Sequence, residues 1–187
     1  VLYPLAIIVL LALYIIINRI VFYLSKLRTS KKFVSHSIDL LEKNKIKELK
    51  KMDLIRLLET AKKNILKSYS NKDIEFLFNP PNTRIYVKAD EFLLDVFENL
   101  LNNAIIHNES LPIKIKILIE DEQDVNLNLI RIEFLDNGPG ISNTIKEKLF
   151  KDVITESENG MGIGLYLVKD IIDNYDGKIW VEDDDDH

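Results

Sequence analysis

Glycine is confined to a few places in this chain, and its distribution restricts the possible folds more than any other feature. The 187 residues include six glycines, and five of them lie in two short clusters. One cluster holds Gly138 and Gly140, and the other holds Gly160, Gly162 and Gly164. Glycine permits positive φ angles and lets a backbone approach a ligand closely. Two such clusters beside acidic and amide residues indicate a nucleotide pocket, whereas either cluster alone would fit an ordinary loop.

The second cluster leads directly into a helix. The segment Gly160-Met161-Gly162-Ile163-Gly164-Leu165 precedes an apolar periodicity that predicts a helix over residues 164–175. Free N–H groups and the helix dipole at such a start favour a bound phosphate. The glycine spacing differs from the dinucleotide-binding fingerprint, and no lysine follows at the P-loop position. These differences disfavour a Rossmann-type or Walker-type site.

A predicted helix from Asp90 to about Asn108 carries polar side chains on one face. Asn99, Asn103 and His107 recur at every fourth residue, so they form one row along the helix. The opposite side is apolar and must pack against a core. An Asn side-chain oxygen is a suitable ligand for Mg²⁺, which also keeps waters and phosphate oxygens. The helix alone leaves a capping or solvated polar face as the alternative.

The first glycine cluster lies in the segment Asp136-Asn137-Gly138-Pro139-Gly140, which follows an apolar strand. A carboxylate at the end of a strand can accept a hydrogen bond from an exocyclic amine. The two glycines would keep the wall of such a pocket thin. An ordinary tight turn is the alternative, because these residue types are also typical of turns.

Taken together, these segments resemble the ATP-binding domain of sensor histidine kinases, in the superfamily that includes gyrase, Hsp90 and MutL. The segment 99–104 resembles the N box, 136–141 the G1 box and 160–165 the G2 box. Residues 149–155 look like the F-box region, and 176–182 are similar to the strand that follows in the family. The resemblance covers roughly residues 53–182, and the boxes occur in the family's order.

The resemblance implies separate contacts to magnesium, to the phosphates and to adenine. Asn103 would hold Mg²⁺, Asn99 would act beside it at the phosphates, and Asp136 would bind the adenine amine. The other nucleotide contacts that it implies come from His107, Gly138, Gly140, Gly160, Gly162, Gly164 and Leu165.

Position 99 bears on the reaction. Hydrolysing members of the superfamily carry a Glu there that activates water, whereas Asn99 cannot act as a base. The resemblance therefore implies phosphoryl transfer rather than free ATP hydrolysis, with positioning and charge neutralisation as the main sources of catalysis. Ile106 departs from the family, since many members carry a phosphate-contacting Lys at this position.

We expect an α+β fold, a two-layer α/β sandwich of the Bergerat type, over residues 53–182. Asp53 should cap a helix whose apolar face holds Leu54, Leu57, Leu58, Ala61 and Ile65. A further, short helix is expected at 143–151. Mostly antiparallel strands are expected at 74–78, 84–87, 113–120, 129–135 and 178–182. Residues 25–52 are interpreted as a helical linker or the remnant of a dimerisation helix, and 183–187 as an acidic tail.

The first 24 residues are almost wholly apolar, and their length suits the hydrocarbon core of a bilayer. Basic residues follow the run, including Lys26 and Arg28, which by the positive-inside rule places the rest of the chain in the cytoplasm. A signal peptide is the alternative, but no basic stretch comes first and no cleavage site follows. We therefore expect a single-pass membrane protein.

The phosphoacceptor histidine is not evident. His36 is the one candidate upstream of the ATP-binding segments, and a solvated linker histidine is the favoured interpretation. We therefore expect a histidine-bearing dimerisation domain and a response regulator as partners. The alternatives are a non-catalytic regulator that binds nucleotide and, third, a serine kinase acting on an anti-sigma partner.

Composition excludes some other classes of protein. The net charge of −5 disfavours nucleic-acid binding, which usually needs a basic patch. The absence of cysteine excludes disulfides, thiol chemistry and thiolate metal sites.

Overall fold

The first described element is a strand where the sequence predicted helical linker. The structure is a computed structural model that describes residues 48–124, 127–146, 149 and 164–183. Strand β1, Lys50–Asp53, pairs antiparallel with β3, Tyr86–Ala89. The predicted helical linker up to residue 52 is therefore wrong for its last residues, because a distant strand supplies their hydrogen-bonding partner. The rest of that linker, the predicted membrane helix and His36 lie outside the described residues.

Helix α1, Leu54–Ser68, follows β1 directly. Its predicted cap is confirmed, since the Asp53 side chain accepts a hydrogen bond from the Arg56 N–H at 3.1 Å. Such a cap satisfies one of the N–H groups that have no partner within the helix. The predicted apolar face is also found, with Leu57 half-buried and the other members fully buried: Leu54, Leu58, Ala61 and Ile65.

The main sheet has three strands in the order β2-β4-β5. They are β2 (Ile74–Phe78), β4 (Ile113–Asp124) and β5 (Leu127–Asp136). Strand β4 lies parallel to β2 and antiparallel to β5. The sheet is thus mixed. Among the described strands, two pairings are antiparallel and one is parallel, which agrees with the predicted mostly antiparallel strands.

The helices cover one face of this sheet. Helix α2 is Phe92–Ile106, the short α3 is Asn143–Lys146, and α4 is Gly164–Asn174. The ring of Phe97 on α2 lies 5.9 Å from that of Phe134 on β5. Alternate residues of β4 are buried or exposed, so its opposite face meets solvent. This arrangement confirms the predicted two-layer α+β sandwich. Its buried apolar residues on α2, β4 and α4 are Phe92, Leu93, Val96, Phe97, Leu101, Ile105, Ile113, Ile115, Ile117, Leu167, Val168 and Ile171.

The strand predicted at 178–182 is not formed. These residues have no ladder to the sheet, although they lie beside β5. The Arg131 guanidinium lies 5.5 Å from the Trp180 ring and 3.5 Å from the Glu182 carboxylate. This segment is therefore joined to β5 by side-chain contacts. None of the helices in the described ranges is long and apolar enough to cross a membrane.

Candidate functional site

The predicted polar row lies on α2 as the sequence analysis placed it. Asn99 and Asn103 are half-buried, and His107 is exposed at the end of the helix. The Asn99 amide donates a hydrogen bond to the main-chain oxygen of Asp95 at 2.9 Å. No hydrogen bond joins the Asn103 side chain to the other residues that the structure describes. Its amide oxygen is a hard metal ligand, which suits Mg²⁺.

The first residue of α4 lies against this row. A Cβ atom on Gly164 would be 3.0 Å from the Asn99 side-chain oxygen, so the helix start approaches the amide more closely than a larger residue allows. The start of α4 thus lies beside the Asn99 end of the polar row. Leu165 follows in the first turn of α4 and is half-buried. Gly160 and Gly162 lie outside the described residues.

Asp136 is the last residue of β5 and is exposed. Its Oδ1 accepts a hydrogen bond from the Gly138 N–H at 2.8 Å and a long one from the Asn108 amide at 3.4 Å. A carboxylate held in this way at a strand end can accept a further hydrogen bond from a ligand.

The two glycines that follow are required for different reasons. A Cβ on Gly138 would lie 2.6 Å from Asp136 Oδ1, so any side chain there would displace the carboxylate. Gly140 has a φ of +72°, which L-residues rarely adopt, and no atom lies within 4 Å of its would-be Cβ. The first glycine thus allows the close approach of the backbone to the carboxylate, and the second allows the turn.

Two amides that the sequence analysis did not assign join this turn to α2. Asn108 is buried, and its side chain bonds those of Asp136 and Asn137. The Asn137 Oδ1 also accepts a hydrogen bond from the Lys114 N–H at 2.8 Å, and its amide donates to the Pro112 oxygen at 3.1 Å. No local signal in the sequence distinguishes Asn108, which simply follows the His107 end of the polar row.

A further, partly buried contact fixes α4 against the start of α2. The Tyr175 hydroxyl donates a hydrogen bond to Asp90 Oδ1, which also accepts from the Phe92 N–H at 2.9 Å. Burial, and then the hydrogen bond to Asp90, raise the pKa of Tyr175 well above its usual value. This hydrogen bond therefore ties α2, which carries the Asn99 row, to α4, which begins at Gly164.

The donor set suits a magnesium nucleotide better than a metal held by protein alone. The described ranges contain no group of three or more His, Asp or Glu side chains placed to share a metal ion. Mg²⁺ is often bound through one or two protein oxygens together with phosphates and water. The Asn103 amide fits such a role, and the exposed Asp136 carboxylate can accept a hydrogen bond from a base.

These features define an ATP-binding domain of the Bergerat type: an amide row on a helix, a glycine at the start of a second helix and a carboxylate at a strand end. Residues 88–187, more than half of the chain, match the family described as histidine kinase-, DNA gyrase B- and HSP90-like ATPase. The chain belongs to this family, and its domain is of the histidine-kinase type.

Curated sensor kinases and solved kinase domains are similar to this chain. The sensory histidine kinase/phosphatase NtrB of Vibrio alginolyticus is 29% identical over 138 residues, covering 70% of this chain and 39% of the relative. The sensor histidine kinase YcbM of Bacillus subtilis is 31% identical over 138 residues, covering 68% and 43%. The catalytic domain of histidine kinase ThkA is 30% identical with a TM-score of 0.65, covering 74% of this chain and 90% of that one.

The chain spans about two fifths of the length of these two curated relatives. By contrast, it covers most of the isolated ThkA catalytic domain. The similarity therefore concerns the ATP-binding catalytic domain.

Proposed function

We propose that this chain is the ATP-binding catalytic part of a membrane-bound sensor histidine kinase, which transfers the γ-phosphoryl group of ATP to a histidine. The observation that carries the proposal is the arrangement around Asp136. Gly138 lets the backbone pass close to the carboxylate, and two donors hold Oδ1. This geometry supports recognition of the adenine amine.

The phosphate end of the nucleotide would lie along α2. Asn103 would hold Mg²⁺, which neutralises phosphate charge when it is bound. Asn99 lies against the first residue of α4, where free N–H groups favour a phosphate. The Asn99 side chain is an amide, so it can orient and bind a phosphate but cannot remove a proton from water. These properties support transfer to an acceptor over hydrolysis.

The proposed phosphoacceptor and partner are supported by a similar kinase and not by the geometry of this site. A solved complex pairs histidine kinase ThkA with the response regulator protein TrrA; that kinase is 26% identical to this chain, with a TM-score of 0.64. We infer that this chain likewise works with a histidine-bearing dimerisation domain and a response regulator. The apolar run at residues 1–24 supports a single-pass anchor with the ATP-binding domain in the cytoplasm.

Phosphoryl transfer can be tested with radiolabelled ATP and the full chain, with and without a separately supplied dimerisation domain. Acid-labile, base-stable label on the added domain is the expected result, since phosphohistidine has that stability. Loss of the label in Asn103→Ala would tie the transfer to this site. Nucleotide binding without any transfer would instead favour the non-catalytic regulator, and acid-stable label on a serine would favour the anti-sigma type.

The anchor needs a separate experiment. Cells expressing the full chain can be fractionated, and the membranes washed with alkaline carbonate. We expect the chain to stay with the washed membranes and a variant lacking residues 1–24 to become extractable. Release of the full chain by the wash would contradict the proposed anchor.

A further inference from the structure

The end of α2 carries a buried amide to which the proposed function gives no role. Asn108 is only 4% exposed, and Asp90 is the other buried polar side chain in the described ranges. Asp90 is satisfied by Tyr175 and by its own helix. Asn108, which follows the end of α2, instead reaches toward the turn after β5. Burying an amide costs free energy unless its donors and acceptors are satisfied, so its partners show what it holds.

The orientation of this amide is fixed from one side. Asn108 Oδ1 accepts a hydrogen bond from the Ser110 N–H at 2.9 Å, so the oxygen faces its own loop. The Nδ2 group must then face the other way. It donates to Asn137 Oδ1 at 3.0 Å and lies 3.4 Å from Asp136 Oδ1. Ser110 Oγ also donates to the Asn137 main-chain oxygen at 2.8 Å, which ties the two loops together.

As a consequence, the Asp136 carboxylate is held through only one of its two oxygens by the residues that the structure describes. Within the described part of the chain, its hydrogen bonds all reach Oδ1, from the Asn108 amide and from the Gly138 N–H. Both donors therefore restrict the rotation of the carboxylate. The second oxygen, Oδ2, is left to accept a hydrogen bond from a ligand at the exposed side of the strand end.

We propose that Asn108 is a positioning residue that selects adenine by holding Asp136 with Oδ2 directed at the 6-amino group of the base. This role rests on the proposed function, in which Asp136 contacts adenine. Asn108 itself does not touch the nucleotide. Its effect should therefore depend on the 6-amino group and not on the ribose or the phosphates.

The test compares two nucleotides on one variant. Asn108→Asp keeps the acceptor for the Ser110 N–H but replaces the Nδ2 donor with an oxygen that faces Asp136. Calorimetry on the full chain would measure the Kd of ADP and of purine riboside diphosphate, which lacks the 6-amino group. We expect ADP to bind about tenfold more weakly to the variant, the usual size of a lost charged hydrogen bond, and the second nucleotide to bind as before.

A matched control and a second variant accompany this test. Asn64→Asp also turns an amide donor into a carboxylate that faces another carboxylate, because the Asn64 amide donates to Glu98 at 2.7 Å on the exposed side of α1. Its affinity for both nucleotides should not change. Asn108→Ser shortens the side chain without adding charge, should show the same selective loss, and decides the matter if Asn108→Asp does not fold.

The outcomes separate this role from the proposed function. Equal weakening of both nucleotides in the Asn108 variants would show a merely structural role and overturn the inference. A preference for ADP that survives unchanged in both variants would overturn the role of Asn108 alone. A wild-type chain with no preference for ADP would overturn both the adenine contact of Asp136 and the role built on it.

Discussion

Replacing Gly138 with alanine would test the geometry around Asp136 most locally. The added Cβ would lie 2.6 Å from Asp136 Oδ1, against the 3.4 Å at which ordinary contacts begin, so the carboxylate must move by roughly 0.8 Å. It would also lie 3.4 Å from Asn108 Cγ, which leaves little room on that side. The movement would break the 2.8 Å hydrogen bond from the Gly138 N–H and carry the carboxylate away from its position beside the base.

Two magnitudes follow from this displacement. Overpacking of this kind typically costs ~1–3 kcal/mol, which corresponds to a fall in Tm of roughly 3–9 °C for a domain of this size. Loss of a hydrogen bond from an amine to a carboxylate costs ~1.5–3 kcal/mol, so ADP should bind at least about tenfold more weakly. Thermal unfolding and calorimetric titration of the same sample would measure both.

The matched control is Gly177→Ala, which creates a close contact away from this site. There the Cβ would lie 3.0 Å from Ile172 Cγ2 and 3.2 Å from the Ile172 oxygen. We expect a loss of stability with unchanged affinity for ADP. Unchanged ADP affinity in Gly138→Ala, or an equal loss in both variants, would refute the reasoning.

Three further changes have distinct expected results. Asn103→Ala should abolish the dependence of ATP affinity on Mg²⁺ while ADP binding in EDTA persists; titrations with and without the metal check this. Gly140→Ala should lower the free energy of unfolding by ~1–2 kcal/mol through backbone strain alone, and so lower Tm, because its φ is +72° and nothing lies near the new Cβ. Tyr175→Phe should change how the free energy of unfolding falls at alkaline pH. The pKa of Tyr175 is higher in the folded chain than in the unfolded chain, so the unfolded chain loses the hydroxyl proton first. The contribution of this hydroxyl to stability is therefore complete below about pH 10 and is lost as the pH rises further. Denaturation at pH 9–11 should therefore show a flatter decline for the phenylalanine variant.

Local sequence patterns were enough to predict the main helices of the fold. Asp53 and the apolar face behind it predict α1 because capping and a 3.6-residue period are both local properties. Strand β1 was missed because its four residues become a strand only by pairing with Tyr86–Ala89. The parallel pairing of β2 with β4 and the missing strand at 178–182 likewise depend on contacts between distant segments.

The residues of the site show the same difference between local patterns and contacts of distant segments. Asn99 and Asn103 were placed by their spacing on one helix, and Asp136 by its position after an apolar strand. Asn108 was missed because its role exists only through a carboxylate 28 residues further along the chain. A buried amide at the end of a helix has no local signature that separates it from an ordinary cap.

The most direct test of the adenine site is a calorimetric titration of the full chain with ADP and Mg²⁺, repeated with Asp136→Ala. We predict saturable binding to the wild-type chain and at least about tenfold weaker binding to the variant, because the acceptor for the 6-amino group is gone. Absence of binding to the wild-type chain, or equal affinity in the two proteins, would contradict the assignment of Asp136 and with it the proposed nucleotide pocket.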